Sequence, residues 1–390
     1  MTKHLTFILF LFSVTSWSQT EFFNSKINFS ESELDKFYSS FSIDSSQVYF
    51  NANDYYVHAY DKETGVLNWS HYLANKTNNA PIPYQNNLFV SKHLSEYNDK
   101  CVQLNAITGD TIQTLLIESI NTKPVFNNNI MYCSGIDAGI GGAVIAYDLK
   151  KNNVIWEKFI AHGVDKQPYF MKDKIIANAE DDNWFELDYN GKLLDTTCEY
   201  KANLFVEDIK CVRNFKYLTH NQKELSGSYF ESYENIKVKY SKDQTIVLGE
   251  NKMLIINNRN KIEKEIKLEE IITIPENQVS NYTEILKVED STVWFFHQNI
   301  LVVYDFKNNK TIQTFDLTQW NVNQAILEDK KLWLISRNDG QLIGLELGPD
   351  PTEEALRAAK AKLFKQTHQC GNEVEAMNEA RKKALETVKK

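Results

Sequence analysis

The sequence predicts an all-β chain: a β-propeller of eight, or alternatively seven, four-stranded blades, followed by a short C-terminal helical hairpin. Three observations predict it. First, the strand–turn–strand phrase Ala59-Tyr60-Asp61-Lys62-Glu63-Thr64-Gly65-Val66-Leu67-Asn68-Trp69 returns in weaker copies, at Ala146-Tyr147-Asp148 through Trp156 and at Val303-Tyr304-Asp305 through Thr314. Second, paired apolar strands ending in an acidic or amide residue recur at a nearly fixed pitch. Third, 42% of the 390 residues are hydrophobic, and in a repeat array each unit buries its face mainly on its neighbours.

Taken in order, residues 48–50 lead into 56–61, 88–90 into 101–105, 130–132 into 143–148, and 175–177 into 184–188. Residues 246–248 then lead into 254–257, 293–296 into 301–305, and 332–335 into 342–346. Alternation with a β-branched and aromatic bias marks these runs as strands, and the Asn, Asp and Gly clusters between them as tight turns. The anchors Asp61, Asn105, Asp148, Asp188, Asn257, Asp305 and Glu346 stand 44, 43, 40, 69, 48 and 41 residues apart. The long interval holds either one blade with a large loop or a degenerate extra blade, whose strands would be 204–206, 215–218 and 229–230.

Turn chemistry assigns the repeat residues structural roles. Asp61, Asp148 and Asp305 are expected to bond their own turns through the carboxylate. Gly65 and Gly109 are expected to supply a positive φ. Trp69 and Trp156 should then lie over the neighbouring blade and dock it. The last unit stops at Leu347, before a fourth strand, and Gly348-Pro349-Asp350-Pro351 opposes a regular one. The start of the mature chain, around residues 26–30, is expected to supply that strand and so remove an open edge.

The N-terminus reads as an export signal over 1–18. Lys3 and His4 precede an apolar run at 5–14, and Ser16-Trp17-Ser18 gives a small-x-small site before Gln19. The propeller is expected over 19–347 and a linker with helical tail over 348–390. The apolar run is too short to span a bilayer, and no other stretch suffices. The mature protein is therefore expected to be exported, periplasmic or extracellular. Five Cys do not make a disulfide framework; Cys198 and Cys211 are near enough in sequence for one bridge, against buried or reduced thiols.

The formal net charge of −9 carries no nucleic-acid footprint. The tail differs, with nine Lys and Arg against six Asp and Glu beyond residue 350. It is rich in Ala and strong helix formers, capped by Thr352 and broken near Gly371-Asn372. Leu356, Ala359 and Leu363 make a thin apolar stripe, so Leu356 and Leu363 are candidate partner contacts. Tyr229, Phe230 and Tyr233, in the irregular interval, form a second candidate partner surface.

No His-x-His, His-Glu-x-x-His, nucleophile-elbow or P-loop spacing occurs, and Glu180-Asp181-Asp182 lacks the spacing of a calcium loop. Catalytic, metal and cofactor residues are expected to be none.

Residues 59–69 match in full the Ala-x-Asp-x-x-Thr-Gly-x-x-x-Trp docking phrase of the PQQ-like propeller superfamily, which the chain resembles over about residues 20–347. Residues 146–156 keep Ala, Asp and Trp but carry Lys151-Asn152 where Thr-Gly stands in the phrase, and Ile107-Thr108-Gly109 keeps only the turn. The superfamily includes quinoprotein dehydrogenases, with adjacent Cys over the quinone and a Glu, Asn and Asp set on calcium. It also includes the propeller subunit of the bacterial outer-membrane barrel-assembly machine. No two Cys are adjacent here, and no Cys follows the cleavage point for lipid attachment. The resemblance implies the non-enzymatic branch: a non-catalytic, exported scaffold with a protein partner in the envelope and no cofactor. The alternative is a quinone- or ligand-binding enzyme or sensor using the central channel.

Overall fold

Short runs rich in Val, Ile, Tyr and Phe, each closed by an Asn, Asp or Gly turn, pair with the run that follows them, and nearly all regular structure here is built that way. The computed structural model describes residues 17–27, 39–52, 54–74, 79–95, 98–120, 122–136, 142–161, 168–170, 172–178, 184–194, 236–241, 243–259, 261–273 and 282–349. Among these the protein is all-β, with two 3-10 turns, Leu268–Glu270 and Thr318–Trp320.

Seven antiparallel sheets follow one another along the described chain. Strand β1 (Trp17–Asn24) precedes the first, which comprises β2 (Ser40–Ile43), β3 (Gln47–Ala52), β4 (Tyr56–Asp61) and β5 (Leu67–Tyr72) in that order. The second is β6 (Ile82–Tyr84), β7 (Asn87–Ser95), β8 (Asn98–Asn105) and β9 (Thr111–Thr114). The third joins β10 (Ser119–Ile120) and β11 (Val125–Asn127) to β12 (Ile130–Ile136), then β13 (Gly142–Asp148) and β14 (Asn153–Ala161). The fourth has three strands, β15 (Tyr169–Phe170), β16 (Ile175–Asn178) and β17 (Trp184–Leu187), with Leu193 bridging Leu187 beside them.

The fifth sheet is β18 (Lys237–Tyr240), β19 (Gln244–Leu248), β20 (Lys252–Asn257) and β21 (Ile262–Lys267). The sixth is β22 (Thr283–Glu289), β23 (Thr292–His297), β24 (Ile300–Asp305) and β25 (Lys310–Asp316). The seventh contains β26 (Val322–Glu328), β27 (Lys331–Ser336) and β28 (Leu342–Pro349), in the order β1-β28-β27-β26.

The described chain falls into two compact units. The smaller holds residues 17–22, 327–332 and 344–349. In it the Phe22 ring occupies the space beside Gly344, where an added Cβ would come within 2.7 Å, and the Lys331 ammonium stands 5.4 Å from that ring's centre. The Leu347 N–H donates to the Lys330 carbonyl at 2.7 Å.

The larger unit, residues 23–326 and 333–343, buries its apolar side chains between successive sheets. Tyr49, Val57 and Ala59 of the first sheet pack with Leu88, Val90 and Val102 of the second. Phe89 and Cys101 of the second share a core with Met131, Cys133 and Tyr147 of the third. Ile246, Met253 and Ile255 of the fifth do so with Val293, Phe295 and Val302 of the sixth. Each fully buried Leu or Phe in these layers contributes about 1.5–3 kcal/mol relative to exposure.

Two sequence expectations need correction. The added strand of the seventh sheet is β1, Trp17–Asn24, and not residues 26–30. In this segment Lys26 adopts a φ of 49°, in the left-handed region, which an extended strand cannot continue through. Residues 28–30 lie outside the described residues. Glu346 is not a turn anchor; it sits within β28, which has strands on both sides and runs on to Pro349. The expected tail helices, the degenerate strands at 204–230, and Tyr229, Phe230, Tyr233, Leu356 and Leu363 all lie outside the described residues, as do Cys198, Cys211 and residues 180–182.

Candidate functional site

The recurring residues meet at the junctions between sheets. Asp61 ends β4, and its Oδ1 accepts the N–H of Glu63 at 3.1 Å, the N–H of Thr64 at 2.7 Å and the Thr64 hydroxyl at 2.7 Å. Asn105, Asp148, Asp188, Asn257 and Asp305 fix their own turns in the same way. Backbone N–H groups bonded to the ionised form hold the Asp148 carboxyl below its ordinary range, the Lys151 N–H first among them. For Asp305 the leading cause is the Asn308 side-chain amide, at 2.6 Å.

The turn then needs a residue with positive φ. Gly65, Gly109 and Gly191 take φ of 69°, 75° and 80°. In each case an aromatic ring from a neighbouring sheet fills the place of the absent side chain. A Cβ on Gly65 would lie 2.7 Å from Phe23, one on Gly109 2.6 Å from Trp69, and one on Gly191 2.6 Å from Trp156. Both the dihedral and the ring therefore demand glycine. In the third sheet Asn152 takes the position with φ 54°, accepting the Tyr147 hydroxyl at 2.7 Å and donating to the Thr114 carbonyl at 3.1 Å.

At four junctions a side-chain hydrogen bond reaches the carbonyl one residue past the anchor. Trp69 Nε1–H donates to the Ala106 carbonyl at 3.1 Å and Trp156 Nε1–H to that of Tyr189 at 3.0 Å. Gln113 Nε2 donates to the Leu149 carbonyl at 3.0 Å, and the Lys264 ammonium donates to that of Phe306. Gln113 and Lys264 are the docking residues that sequence reasoning missed. The available clue was position: Gln113 stands eight residues past Asn105, as Trp69 does past Asp61 and Trp156 past Asp148.

One backbone device aims all of these side chains. In β5, Trp69 pairs with Ala59 but Leu67 with Tyr60, so Asn68 is an extra residue. The same bulge inserts Ile112 before Gln113, Ile155 before Trp156, Glu263 before Lys264 and Ile312 before Gln313. A bulge bends its strand and re-aims the next side chain, here across the junction. The displaced residue is pushed outward: Ile112, Ile155 and Ile312 are 51%, 47% and 54% exposed.

The first and last sheets also meet within the larger unit. Phe41 N–H donates to Gln324 Oε1 at 3.2 Å, and Gln324 Nε2 donates back to the Phe41 carbonyl at 2.9 Å. The Tyr282 hydroxyl bridges both backbone groups of Ala325, accepting its N–H at 2.9 Å. Gln341 holds residues 25–27 by the Ser25 hydroxyl at 2.7 Å and by the backbone of Ile27 in both directions at 2.8 Å.

Burial acts on two histidines, the first of them at a junction. His71 lies with Nδ1 2.9 Å from the Gly109 carbonyl and accepts the Lys92 ammonium on Nε2 at 3.0 Å. Burial first, and then the Lys92 charge, lower its pKa. His297, on β23, is 3% exposed, with Thr283 Oγ1 3.2 Å from Nδ1, and burial lowers its pKa to about 4. Among the described residues no group of three or more His, Cys, Asp or Glu is placed to hold a metal, and no helix is long and apolar enough to cross a membrane.

No protein-family model and no curated protein matches the chain. Among solved structures, BamB from Moraxella catarrhalis is similar at 13% identity and a TM-score of 0.43, over 79% of this chain and 82% of that one. The computationally designed Ika8 protein is similar at 12% identity and a TM-score of 0.42, over 79% of this chain and 95% of that one.

Proposed function

We propose that the chain is an exported β-propeller acting as a protein-interaction scaffold in the cell envelope. The observation that carries this reading is the repeated junction: a bulged outer strand sends one ring or donor into the next sheet's turn, again and again along the chain. Coupling of that kind, with Phe41 and Gln324 joining the first sheet to the last, supports a closed wheel. We read eight blades, one of them the degenerate unit with strands at 204–206, 215–218 and 229–230, which lies outside the described residues, with seven as the alternative. Residues 351–390 form a helical hairpin in this reading, and its positive charge opposes the −12 that the rest of the chain carries, from −9 overall less +3 for nine basic and six acidic residues.

A wheel of this kind displays turns and loops on two faces, and broad faces built from loops suit assembly. The test is cross-linking in the native host, followed by capture on the full chain and on a chain ending at residue 350. A stoichiometric envelope partner on the full chain supports the scaffold. A protein that comes down alone, or fractionates with the cytosol, overturns it.

A further inference from the structure

The first sheet places an aspartate, a histidine and a serine in one hydrogen-bonded series. The β4–β5 register sets His58 opposite Ser70, and Nδ1 of the imidazole lies 2.8 Å from Ser70 Oγ. On its other side Nε2 lies 2.9 Å from Asp54 Oδ2. Asp54 is itself fixed, because its Oδ1 accepts the Tyr56 N–H at 3.0 Å. The residue between them, Tyr55, has φ of 71°, a left-handed conformation that is strained for a bulky side chain. Its carbonyl accepts the Leu73 N–H at 2.8 Å, which holds the strained turn in place.

The chemistry follows from donor and acceptor capacity. A carboxylate only accepts, so the nitrogen facing Asp54 carries the proton, and in the neutral imidazole Nδ1 keeps its lone pair. The Ser70 hydroxyl therefore donates to Nδ1, which is the arrangement that turns a serine oxygen into a nucleophile. The charge on Asp54 is felt nearby: burial first, and then that charge, push the Tyr60 phenol up to about 12. His58 is only 8% exposed, whereas Ser70 is on the surface. Tyr56 stacks on His58 with centroids 5.9 Å apart and meets Tyr72 at 5.1 Å; these two phenols are 37% and 51% exposed.

We propose that Ser70 is an acyl-accepting nucleophile, with His58 as its base and Asp54 as a positioning residue, acting on small esters whose apolar or aryl part rests on Tyr56 and Tyr72. In the first step Ser70 Oγ bonds to the ester carbonyl carbon while its proton passes to Nδ1 of His58. The bond from that carbon to the leaving oxygen then breaks, and the alcohol departs with the proton from His58. Water, deprotonated by the same nitrogen, attacks the acyl-serine, releases the carboxylic acid and restores Ser70. The scaffold role asks for no reactive group, so this capacity stands apart from it and either can fail alone.

The test uses the full chain with a fluorophosphonate probe, the labelled position being read by peptide mass spectrometry, alongside p-nitrophenyl acetate turnover. Label is expected on Ser70 and absent in Ser70→Ala. Asp54→Asn is expected to slow labelling roughly a hundredfold and to shift its pH profile, with partial rescue in Asp54→Glu. Because Asp54 also anchors the turn, His58→Gln is run beside it, and only variants with the wild-type circular dichroism spectrum and urea midpoint are compared. Ser70 labelled no faster than other surface serines, or labelled at the wild-type rate in either folded variant, overturns the proposal.

Discussion

The indole of Trp69 and the backbone of Gly109 occupy one another's space: a Cβ on Gly109 would stand 2.6 Å from the ring, and the same ring's N–H reaches the Ala106 carbonyl at 3.1 Å. Trp69→Ala removes both the packing and the donor. It should cost about 2–4 kcal/mol in urea unfolding. Gly109→Ala attacks the same contact from the other side, with φ of 75° adding strain, and should cost about 1–3 kcal/mol. Gly348, where an added Cβ would meet nothing within 4 Å, provides the control: Gly348→Ala should move stability by less than about 0.5 kcal/mol.

Gln113 and Lys264 do the same work without an aromatic ring. Gln113→Leu keeps the size of the side chain but leaves the Leu149 carbonyl without its donor, and should cost about 1 kcal/mol. Lys264→Met should do the same at Phe306. Equal stability of either variant and the wild type in urea titrations would show that these bonds only decorate the junction.

His297 gives a pH dependence with a defined sign. Its folded pKa, about 4, lies below the ordinary value of 6.5, so the unfolded chain binds this proton first. The stability it contributes is complete above about pH 6.5 and is lost as pH falls toward 4, at about 1.4 kcal/mol per pH unit for one proton. His297→Leu should flatten that part of the curve, measured by chemical unfolding at a series of pH values between 4 and 7.

His71 should titrate higher once Lys92 is neutralised. Burial is the first cause of its low pKa and the Lys92 charge the second, so Lys92→Met should raise it without restoring the ordinary value. An NMR titration of the imidazole resonances reads this directly, and an unchanged midpoint would show that Lys92 does not act on the ring.

The buried thiols of Cys101 and Cys133 should resist alkylation in the folded protein. Both are free and fully shielded, and burial pushes Cys133 up to about 12 and Cys101 higher still. Site-resolved mass spectrometry after iodoacetamide should find both unmodified until urea is added.

How much of this was legible in the sequence depends on how local each feature is. The turn at Asp61–Gly65 is written in neighbouring residues, so its carboxylate, its glycine and the docking Trp69 could be read directly. Gln113 was legible only through its eight-residue spacing from Asn105 and Lys264 was not legible, because their role comes from standing after a bulge, and a bulge is a mismatch between two strands that neither strand shows alone. Phe23 was hidden for a related reason: the added strand was expected at residues 26–30, and the alternation of residues 19–24 becomes meaningful only beside β28. Asp54, His58 and Ser70 carry no motif spacing. It is the β4–β5 register, and a strained turn at Tyr55, that bring them together.

The paired hydrogen bonds between Phe41 and Gln324 span 283 positions of the polypeptide. During synthesis this contact of the opening sheet must therefore wait until residue 324 has been made. Contacts of such long reach make for slow maturation and a prolonged interval of vulnerability to proteases and sticky neighbours. A chain of this design depends on its early sheets being kept from other partners until residue 324 has been made.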